Sequence, residues 1–228
     1  GSDDPPASVV IAWSFSDGNT GAPGGGGALA DTGSTTVTLT AVNDAPVVAT
    51  SGGALATTEN AAATAIDTGL AVSDVDNTHL TGATVTISAN YANGEDVLAF
   101  VDANGITGSW NAATGVLTLT GSATVADYQT ALRRITYVNT SDNPSTTTRT
   151  VSFVVNDGTA SSLAATRDIS ITAVNDAPVV TTTGSALAIT ENAAATAIDT
   201  GLAVTDADSA NLTGATVSIS ANYVNGED

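Results

Sequence analysis

The strongest constraint on the fold of this chain is an internal repeat. Residues 43–96 align without gaps with residues 175–228, at an offset of 132, and 43 of the 54 aligned positions are identical. Self-similarity at a fixed period indicates structural units that follow one another along the chain. We therefore divide the 228 residues into the C-terminal part of one unit at 1–42, a complete unit at 43–174 and the N-terminal part of a third unit at 175–228.

The first 42 residues are assigned to a preceding unit by local similarity. Residues 13–18 resemble residues 153–158, and residues 36–40 resemble residues 168–172. A glycine run at residues 24–27 lengthens the hairpin loop between the two matching segments. The chain is therefore expected to contain the end of one unit, a whole unit and the beginning of another.

Composition and periodicity predict an all-β fold. The chain is rich in Thr and Val, which suit half-buried strands, and its 22 Gly supply turns. Apolar residues recur with a period of two, which is the pattern of strands with one buried face. The predicted strands of the complete unit are residues 47–50, 65–72, 83–88, 97–101, 115–120, 134–138, 148–155 and 167–173. Short strands joined by tight turns are typical of tandem Ig-like β-sandwich repeats.

One segment of the complete unit has helical spacing instead. Thr124 can cap a helix together with Asp127 three residues later, and Val125, Tyr128 and Leu132 then share one face. We therefore expect each unit to carry one short helix over an edge of the sandwich. The predicted core is Val48, Ile66, Leu70, Val85, Ile87, Leu98, Phe100, Leu117, Leu119, Tyr128, Leu132, Ile135, Tyr137, Phe153, Val155, Ile169 and Ile171.

The chain is strongly acidic, with 23 Asp and Glu against four basic residues and a net charge of −19. Such a charge repels nucleic acid and anionic membranes, and no apolar run is long enough to insert into a membrane. The chain has no Cys, so a metal is the available staple for a secreted β protein. Two interpretations of the charge remain open, namely binding of divalent cations and an acidic, solubilising surface similar to those of halophiles.

The acidic residues cluster at the ends of predicted strands. Ca²⁺ takes about six to eight oxygen ligands from carboxylates, Asn side chains and backbone carbonyls. An Asp-x-Asp pair in a turn, as at residues 74–76, places two carboxylates where both can reach one ion. The candidate calcium ligands are Asn43, Asp44, Glu59, Asp74, Asp76, Asp157, Asn175, Asp176, Glu191, Asp206, Asp208 and Asp17.

These residues stand in an order that resembles the cadherin repeat. Val-Asn-Asp-Ala-Pro-Val at residues 42–47 looks like the linker between cadherin repeats, and Glu59-Asn60 resembles the Glu-Asn near the start of a repeat. Residues 72–76 and 204–208 resemble its Asp-x-Asp. The resemblance covers the whole unit. The spacing of the Val-Asn-Asp-Ala-Pro segments and the bias toward Thr, Ala and Gly resemble the cadherin-like repeats of giant secreted bacterial adhesins. It implies calcium bound between consecutive repeats, a stiffened rod, and neighbouring repeats as head-to-tail partners.

The sequence departs from the cadherin pattern in ways that remove ligands. The linker is one residue shorter, and Ala41 and Ala173 stand where an acid is expected. The Leu-Asp-Arg-Glu stretch of cadherins is absent, and the predicted helix occupies that region. We therefore expect fewer ions at each junction than the three that are typical of the family.

No pattern in the sequence supports catalysis, and we expect that the protein is not an enzyme. The single His, His79, aligns with Asn211 in the other copy, as a loop residue would. A unit copied almost unchanged is a poor host for a unique pair of catalytic carboxylates. We interpret Trp13 and Trp110 as packing residues rather than as platforms for sugars.

Two functions remain open. The first is an extender and adhesion module of a secreted or cell-surface repeat protein, as in biofilm adhesins, which calcium stiffens and which contacts host or surface ligands. The second is a carbohydrate- or protein-binding β-sandwich, which needs an aromatic-lined groove. Because only 4% of the residues are aromatic, composition favours the first function.

The two incomplete units lead to a further expectation. Between them, residues 1–42 and 175–228 lack the stretch that corresponds to residues 97–140, so each leaves open strand edges. Either the chain is a window on a longer array, or the head of one copy packs with the tail of the next. We expect a continuous extracellular filament in both cases.

Overall fold

The computed structural model describes residues 4–18, 27 and 29–224. Apart from Gly27, the glycine run expected to lengthen a hairpin loop lies outside the described residues. In chain order the elements are β1 (Ser8–Ser16), β2 (Ala30–Thr38), β3 (Val47–Ala49), β4 (Leu55–Thr58), β5 (Thr64–Ala65), β6 (Ala71–Ser73), β7 (His79–Ala89), β8 (Asp96–Ala99), β9 (Thr107–Asn111), β10 (Val116–Thr124), α1 (Val125–Arg133), β11 (Thr136–Asn139), β12 (Arg149–Asn156), β13 (Ala165–Thr172), β14 (Val179–Thr181) and β15 (Ala203–Thr205). In the part of the chain that is described, no helix is long and apolar enough to cross a membrane.

Two sheets enclose the core of residues 43–174. The larger sheet has the strand order β4-β13-β12-β7-β10-β9, and the smaller has the order β5-β11-β8. Strand β4 pairs in parallel with β13, whereas the other pairings within these sheets are antiparallel. Leu98 and Tyr137 of the smaller sheet join Val85, Leu117 and Phe153 of the larger sheet in one buried cluster. This arrangement is consistent with the predicted all-β sandwich.

The core prediction is confirmed at every position except Phe100. The other predicted core residues are buried, while Phe100 is half-buried and packs against the cluster from outside. The cluster also contains residues that the sequence pattern did not select, among them Leu80, Ile106 and Val151. Strand β12 illustrates why the core could be predicted, because its residues are buried at every second position.

The helix prediction is confirmed almost to the residue. Helix α1 begins after Thr124, whose Oγ1 accepts a hydrogen bond from Asp127 N at 3.1 Å. The hydroxyl of Thr124 also donates to Asp127 Oδ2 at 2.6 Å, so the two side chains close the first turn together. Tyr128 and Leu132 are buried, and the helix packs on β6, β7 and β10.

The strand predicted at residues 65–72 is wrong, because the chain turns in the middle of that segment. Asp67 accepts hydrogen bonds from Gly69 N at 2.9 Å and from Ser51 N at 2.8 Å. This local bonding competes with a sheet ladder and leaves two short strands, β5 and β6. Strands β4 and β9 were not predicted, since their mixed polar sequences show little apolar alternation.

In residues 175–224, hereafter the third segment, the apolar residues that correspond to the core of residues 43–96 are far more exposed. Leu70 and Val85 are 0% exposed, whereas their counterparts Leu202 and Val217 are 51% and 86% exposed. In the complete unit, strands β8 to β13 cover these positions. Burial of the shared apolar face therefore depends on the second half of a unit, and identical local sequence alone does not produce it.

Candidate functional site

The first acidic cluster is built on the turn that follows β6. Asp74 Oδ1 accepts hydrogen bonds from Asp76 N at 3.2 Å and from Asn77 N at 2.9 Å. This local bonding by an Asp side chain ends the strand and reverses the chain. As a result the side chains of Asp74 and Asp76 emerge side by side from one turn.

The linker before β3 is hydrogen-bonded to that turn. Asp44 N donates to Asp76 Oδ2 at 2.9 Å, and Asn77 Nδ2 donates to Asn43 Oδ1 at 2.8 Å. Asn43 Nδ2 in turn donates to Asp157 Oδ2 at 2.9 Å, in the turn after β12. Three separate segments, which carry five of the predicted ligands, therefore meet at one end of residues 43–174.

The carboxyl groups in this cluster do not share one electrostatic environment. Burial raises the pKa of Asp74, and the neighbouring Asp76 carboxyl raises it further. The hydrogen bond from Asp44 N lowers the pKa of Asp76, although the negative charge of Asp157 opposes this. Burial acts to raise the pKa of Asp157, but hydrogen bonds from Ala160 N, Asn43 and Thr159 N outweigh it and lower the pKa.

One carboxylate oxygen of this cluster has no hydrogen-bond donor. Asp74 Oδ2 is buried and has no partner among the described residues. A buried anionic oxygen without a donor is costly, so it needs a proton or a cation. The side chains around it offer carboxylate and amide oxygens as ligand atoms. Such oxygens suit a hard cation such as Ca²⁺.

A second acidic cluster repeats this geometry at an offset of 132 residues. Asp176 N donates to Asp208 Oδ2 at 3.2 Å, as Asp44 N donates to Asp76 in the first cluster. Asp206 Oδ1 accepts from Asp208 N at 3.3 Å and from Ser209 N at 2.8 Å. Asp176 Oδ2 is buried without a hydrogen-bond donor among the described residues. The hydrogen bond from the linker Asp to the second Asp of the turn thus forms twice, and each cluster has one buried carboxylate oxygen without a donor, on Asp74 in the first and on Asp176, the counterpart of Asp44, in the second.

The pKa of the first Asp in the Asp-x-Asp turn is shifted in opposite directions in the two clusters. The hydrogen bond from Ser209 N lowers the pKa of Asp206, whereas burial raises the pKa of its counterpart Asp74. The difference follows exposure, because the third segment covers its turn less completely. Asp206 is therefore ionised more readily than Asp74.

Glu59 lies at the opposite end of the complete unit from the first cluster. It is 7% exposed, its amide donates to Thr172 O at 3.0 Å, and its Oε2 has no hydrogen-bond donor among the described residues. The next residue, Asn60, donates from Nδ2 to Asp142 Oδ1 at 2.7 Å. Glu59 thus lies at the end of residues 43–174 from which the chain continues into the third segment.

Asp142 connects this end to the second cluster. Asp142, Asp176 and Asp206 line one cleft of about 260 Å³. The adjacent Asn143 donates from Nδ2 to Ala207 O at 3.3 Å, a direct hydrogen bond between the complete unit and the third segment. The cleft therefore collects carboxylates from residues 43–174 and from the segment that follows them.

The predicted ligands fall into two groups, and two of them lie elsewhere. The first cluster holds Asn43, Asp44, Asp74, Asp76 and Asp157, and the second holds Asn175, Asp176, Asp206 and Asp208, with Glu59 at the adjoining end of the complete unit. Asp17 follows β1, where its Oδ1 accepts a hydrogen bond from Leu29 N at 3.1 Å within the same hairpin. Glu191 is exposed in the third segment.

Among residues 4–18, 27 and 29–224, no group of three or more His, Cys, Asp or Glu side chains is arranged to hold a metal ion. The hydrogen bonds of the first cluster account for this. Asp44 presents its amide to Asp76, and the side chain of Asn43 accepts from Asn77 and donates to Asp157. In each cluster the side-chain oxygens lie near one another, but the carboxylates do not surround a single point.

Two residues of the clusters escaped the sequence analysis. Asn77 bridges the Asp-x-Asp turn and the linker, but a turn Asn next to acids carries no distinguishing pattern. Asp142 lies in the loop after β11, and no periodic feature marks it.

The two Trp residues differ in their environment. Trp110 is half-buried, packs against the core and meets Tyr91 edge to face, with ring centroids 6.2 Å apart. Trp13 is 48% exposed on β1. Trp110 therefore matches the predicted packing role more closely than Trp13 does.

Comparison with known proteins gives a limited result. No family model matches the chain. The chain is 42% identical to halomucin of Haloquadratum walsbyi over an alignment of 82 positions, which covers 34% of this chain. The match spans about 1% of halomucin, which is therefore many times longer than this chain.

Proposed function

We propose that this chain is an extender and adhesion segment of a secreted or cell-surface protein. Its units are tandem cadherin-like β-sandwich repeats, and calcium bound at their junctions stiffens the array. Neighbouring repeats are the partners at each junction, and the array as a whole forms an extracellular filament. The role is structural, and the segment performs no catalysis.

One observation carries the calcium part of this proposal. The same acidic turn and linker recur 132 residues apart, and each cluster keeps a buried carboxylate oxygen without a donor, Asp74 Oδ2 in one and Asp176 Oδ2 in the other. The two oxygens belong to non-corresponding residues of the repeat, but each is a buried anionic oxygen that a cation would neutralise. The clusters offer only oxygen atoms as metal ligands, and the sequence has no Cys. Both features favour Ca²⁺ over Zn²⁺.

In the first junction, Asp74, Asp76 and Asp157 would supply carboxylates, and Asn43 an amide oxygen. In the second junction, Asp176, Asp206 and Asp208 would act with Glu59 and Asp142 from the preceding unit. An ion shared by two units links them, so calcium would restrict bending at the junction. Each ion would also offset part of the self-repulsion that a net charge of −19 causes.

The extender part is supported by repetition and length. Residues 43–96 and 175–228 share 43 of 54 aligned positions, as expected of spacers that perform one mechanical task. The similarity to a short part of halomucin fits a segment of a very long protein. A binding module would instead need an aromatic groove, whereas Trp110 is engaged in packing.

Calcium dependence of stability tests the proposal. We expect CaCl₂ at about 100 times its Kd to stabilise the chain by about 2.7 kcal/mol, which corresponds to a rise in Tm of about 5–10 °C. NaCl of equal ionic strength should give a smaller rise, because it screens charge without occupying the clusters. Asp74→Asn/Asp76→Asn should remove the part of the calcium response that arises at the first junction.

A matched control separates loss of ligands from loss of charge. Asp102→Asn/Asp168→Asn removes the same charge from two exposed positions and keeps the oxygens that accept from Gly108 N and the Thr150 hydroxyl. This control should retain the full calcium response. A Tm that is equal in EDTA and in millimolar calcium, or that NaCl raises as much as CaCl₂ does, contradicts the proposal and favours an acidic solubilising surface.

A further inference from the structure

A buried polar cluster lies in the complete unit, apart from both acidic clusters. Asp96 is 1% exposed and Arg149 is 0% exposed, and Arg149 Nε lies 3.1 Å from Asp96 Oδ2. The other oxygen of Asp96 accepts hydrogen bonds from Tyr137 OH at 2.6 Å and from Asn139 Nδ2 at 2.8 Å. A buried ion pair contributes little net stability compared with apolar packing, so its presence calls for another role.

This cluster holds the loop between β11 and β12. Arg149 Nη1 donates to Ser145 O and, at 2.7 Å, to Thr147 O. Asn139 Oδ1 accepts from Ser141 N at 3.1 Å. The loop is thus bound near both of its ends by side chains that all meet at Asp96.

The same loop makes the contacts with the second acidic cluster. It carries Asp142, whose Oδ1 accepts from Asn60 Nδ2, and Asn143, whose Nδ2 donates to Ala207 O. Asn60 N also donates to Asn139 O at 3.1 Å, so the segment that carries Glu59 is attached to the same support. Every contact described between the complete unit and the second cluster therefore starts from groups that the buried cluster fixes.

We propose that the buried Asp96–Arg149 pair is a positioning element for the second junction. It fixes the 139–147 loop so that Asp142 lines the cleft together with Asp176 and Asp206. The role rests on the proposed function, since it assigns the pair to the calcium site between the complete unit and the third segment. The first junction lies at the other end of the unit and does not depend on the pair.

The test compares two variants in two backgrounds. Asp96→Asn/Arg149→Met removes the Arg149 bonds to Ser145 O and Thr147 O and the charge that holds Asn139, and it leaves no unpaired charge in the core. Tyr137→Phe removes one hydrogen bond to Asp96 and keeps the ties from Arg149 and Asn139, so it is the control for a merely weakened core. Asp74→Asn/Asp76→Asn leaves the second cluster as the intact one, and Asp206→Asn/Asp208→Asn leaves the first.

Calcium affinity is measured by isothermal titration calorimetry in each combination. With the second cluster intact, Asp96→Asn/Arg149→Met should weaken calcium binding about 10- to 100-fold, as loss of supporting contacts does at other metal sites. With the first cluster intact, affinity should not change, and Tyr137→Phe should have no effect in either background. Unchanged affinity at the second cluster, or equal weakening at both clusters, overturns the inference.

A measurement in EDTA keeps the inference separate from the proposed function. Amide hydrogen exchange at Ser141 and Asn60 should be faster in Asp96→Asn/Arg149→Met than in Tyr137→Phe, while exchange in β12 stays slow. Equal exchange in the two variants overturns the positioning role even if the wild-type chain binds calcium. A wild-type chain that binds no calcium refutes the proposed function and, with it, the calcium role of the pair.

Discussion

At the scale of single residues, Asp side chains in this protein have two contrasting environments. Asp67 is buried with its charge satisfied, because it accepts from Ser51 N, from the Ser51 hydroxyl at 2.7 Å and from Gly69 N, and it pairs with Arg167 at 2.9 Å. Asp74 keeps one buried oxygen without a donor. The first environment satisfies a buried charge, and the second leaves an anionic oxygen without a donor, where we propose that a cation binds.

The satisfied environment of Asp67 predicts a pH dependence of stability. Burial acts to raise the pKa of Asp67, but the hydrogen bonds from Ser51, Gly69 and Arg167 outweigh it and lower the pKa below 3.8. A lowered folded-state pKa means that the contribution is complete above the unfolded pKa and is lost as pH falls through the folded pKa. Stability should therefore decrease as pH drops below about 3.8.

Asp67→Asn isolates this contribution. At pH 7 the variant should lose about 1–3 kcal/mol of unfolding free energy, because hydrogen bonds to a buried charged group are lost. The difference between wild type and variant should shrink below pH 4 or so, as Asp67 becomes protonated in the wild type. Urea unfolding from pH 7 to pH 2.5 measures it, and parallel curves would show that Asp67 carries no stabilising charge.

At the scale of elements, strand β12 shows how far the sequence pattern can be trusted. Its neighbours β7 and β13 cover both edges, and alternate residues enter the core. The strand could be predicted because apolar and polar side chains alternate along it in the same way as burial does. Strand β4 could not, because it depends on a parallel pairing with β13 that lies more than a hundred residues away in sequence.

Two substitutions on β12 test its central place. Phe153 is 0% exposed in the core, whereas the next residue, Val154, is half-buried on the other face. Phe153→Ala should cost about 3–5 kcal/mol of unfolding free energy, through lost burial and the cavity that remains. Val154→Ala is the matched control and should cost much less. Chemical denaturation that gives the two variants equal losses would place the core elsewhere.

At the scale of the whole molecule, the sequence predicted the neighbourhood of the candidate site better than its contacts. The repeated Asn-Asp and Asp-x-Asp segments converge because each comes at a strand end of the same fold. Asp142 and the Asp96–Arg149 pair were not foreseen, because an isolated acid or Arg carries no period. Their roles depend on long-range contacts of a kind that no local pattern encodes.

The central claim is that calcium at a junction holds two consecutive units in a fixed relation. The chain has no Cys, so single Cys residues can be introduced for spin labels without interference. Thr118, on β10, and Thr213, in the third segment, are both exposed and lie outside the clusters. A pair of labels at these two positions reports the distance across the second junction.

Double electron–electron resonance of the Thr118→Cys/Thr213→Cys protein, with and without calcium, is the most direct test. The account predicts a broad distance distribution in EDTA that becomes narrow in calcium. Asp206→Asn/Asp208→Asn should abolish the narrowing, and Asp102→Asn/Asp168→Asn should preserve it. A distribution of the same width in EDTA and in calcium would contradict the account, because calcium would then not stiffen the junction.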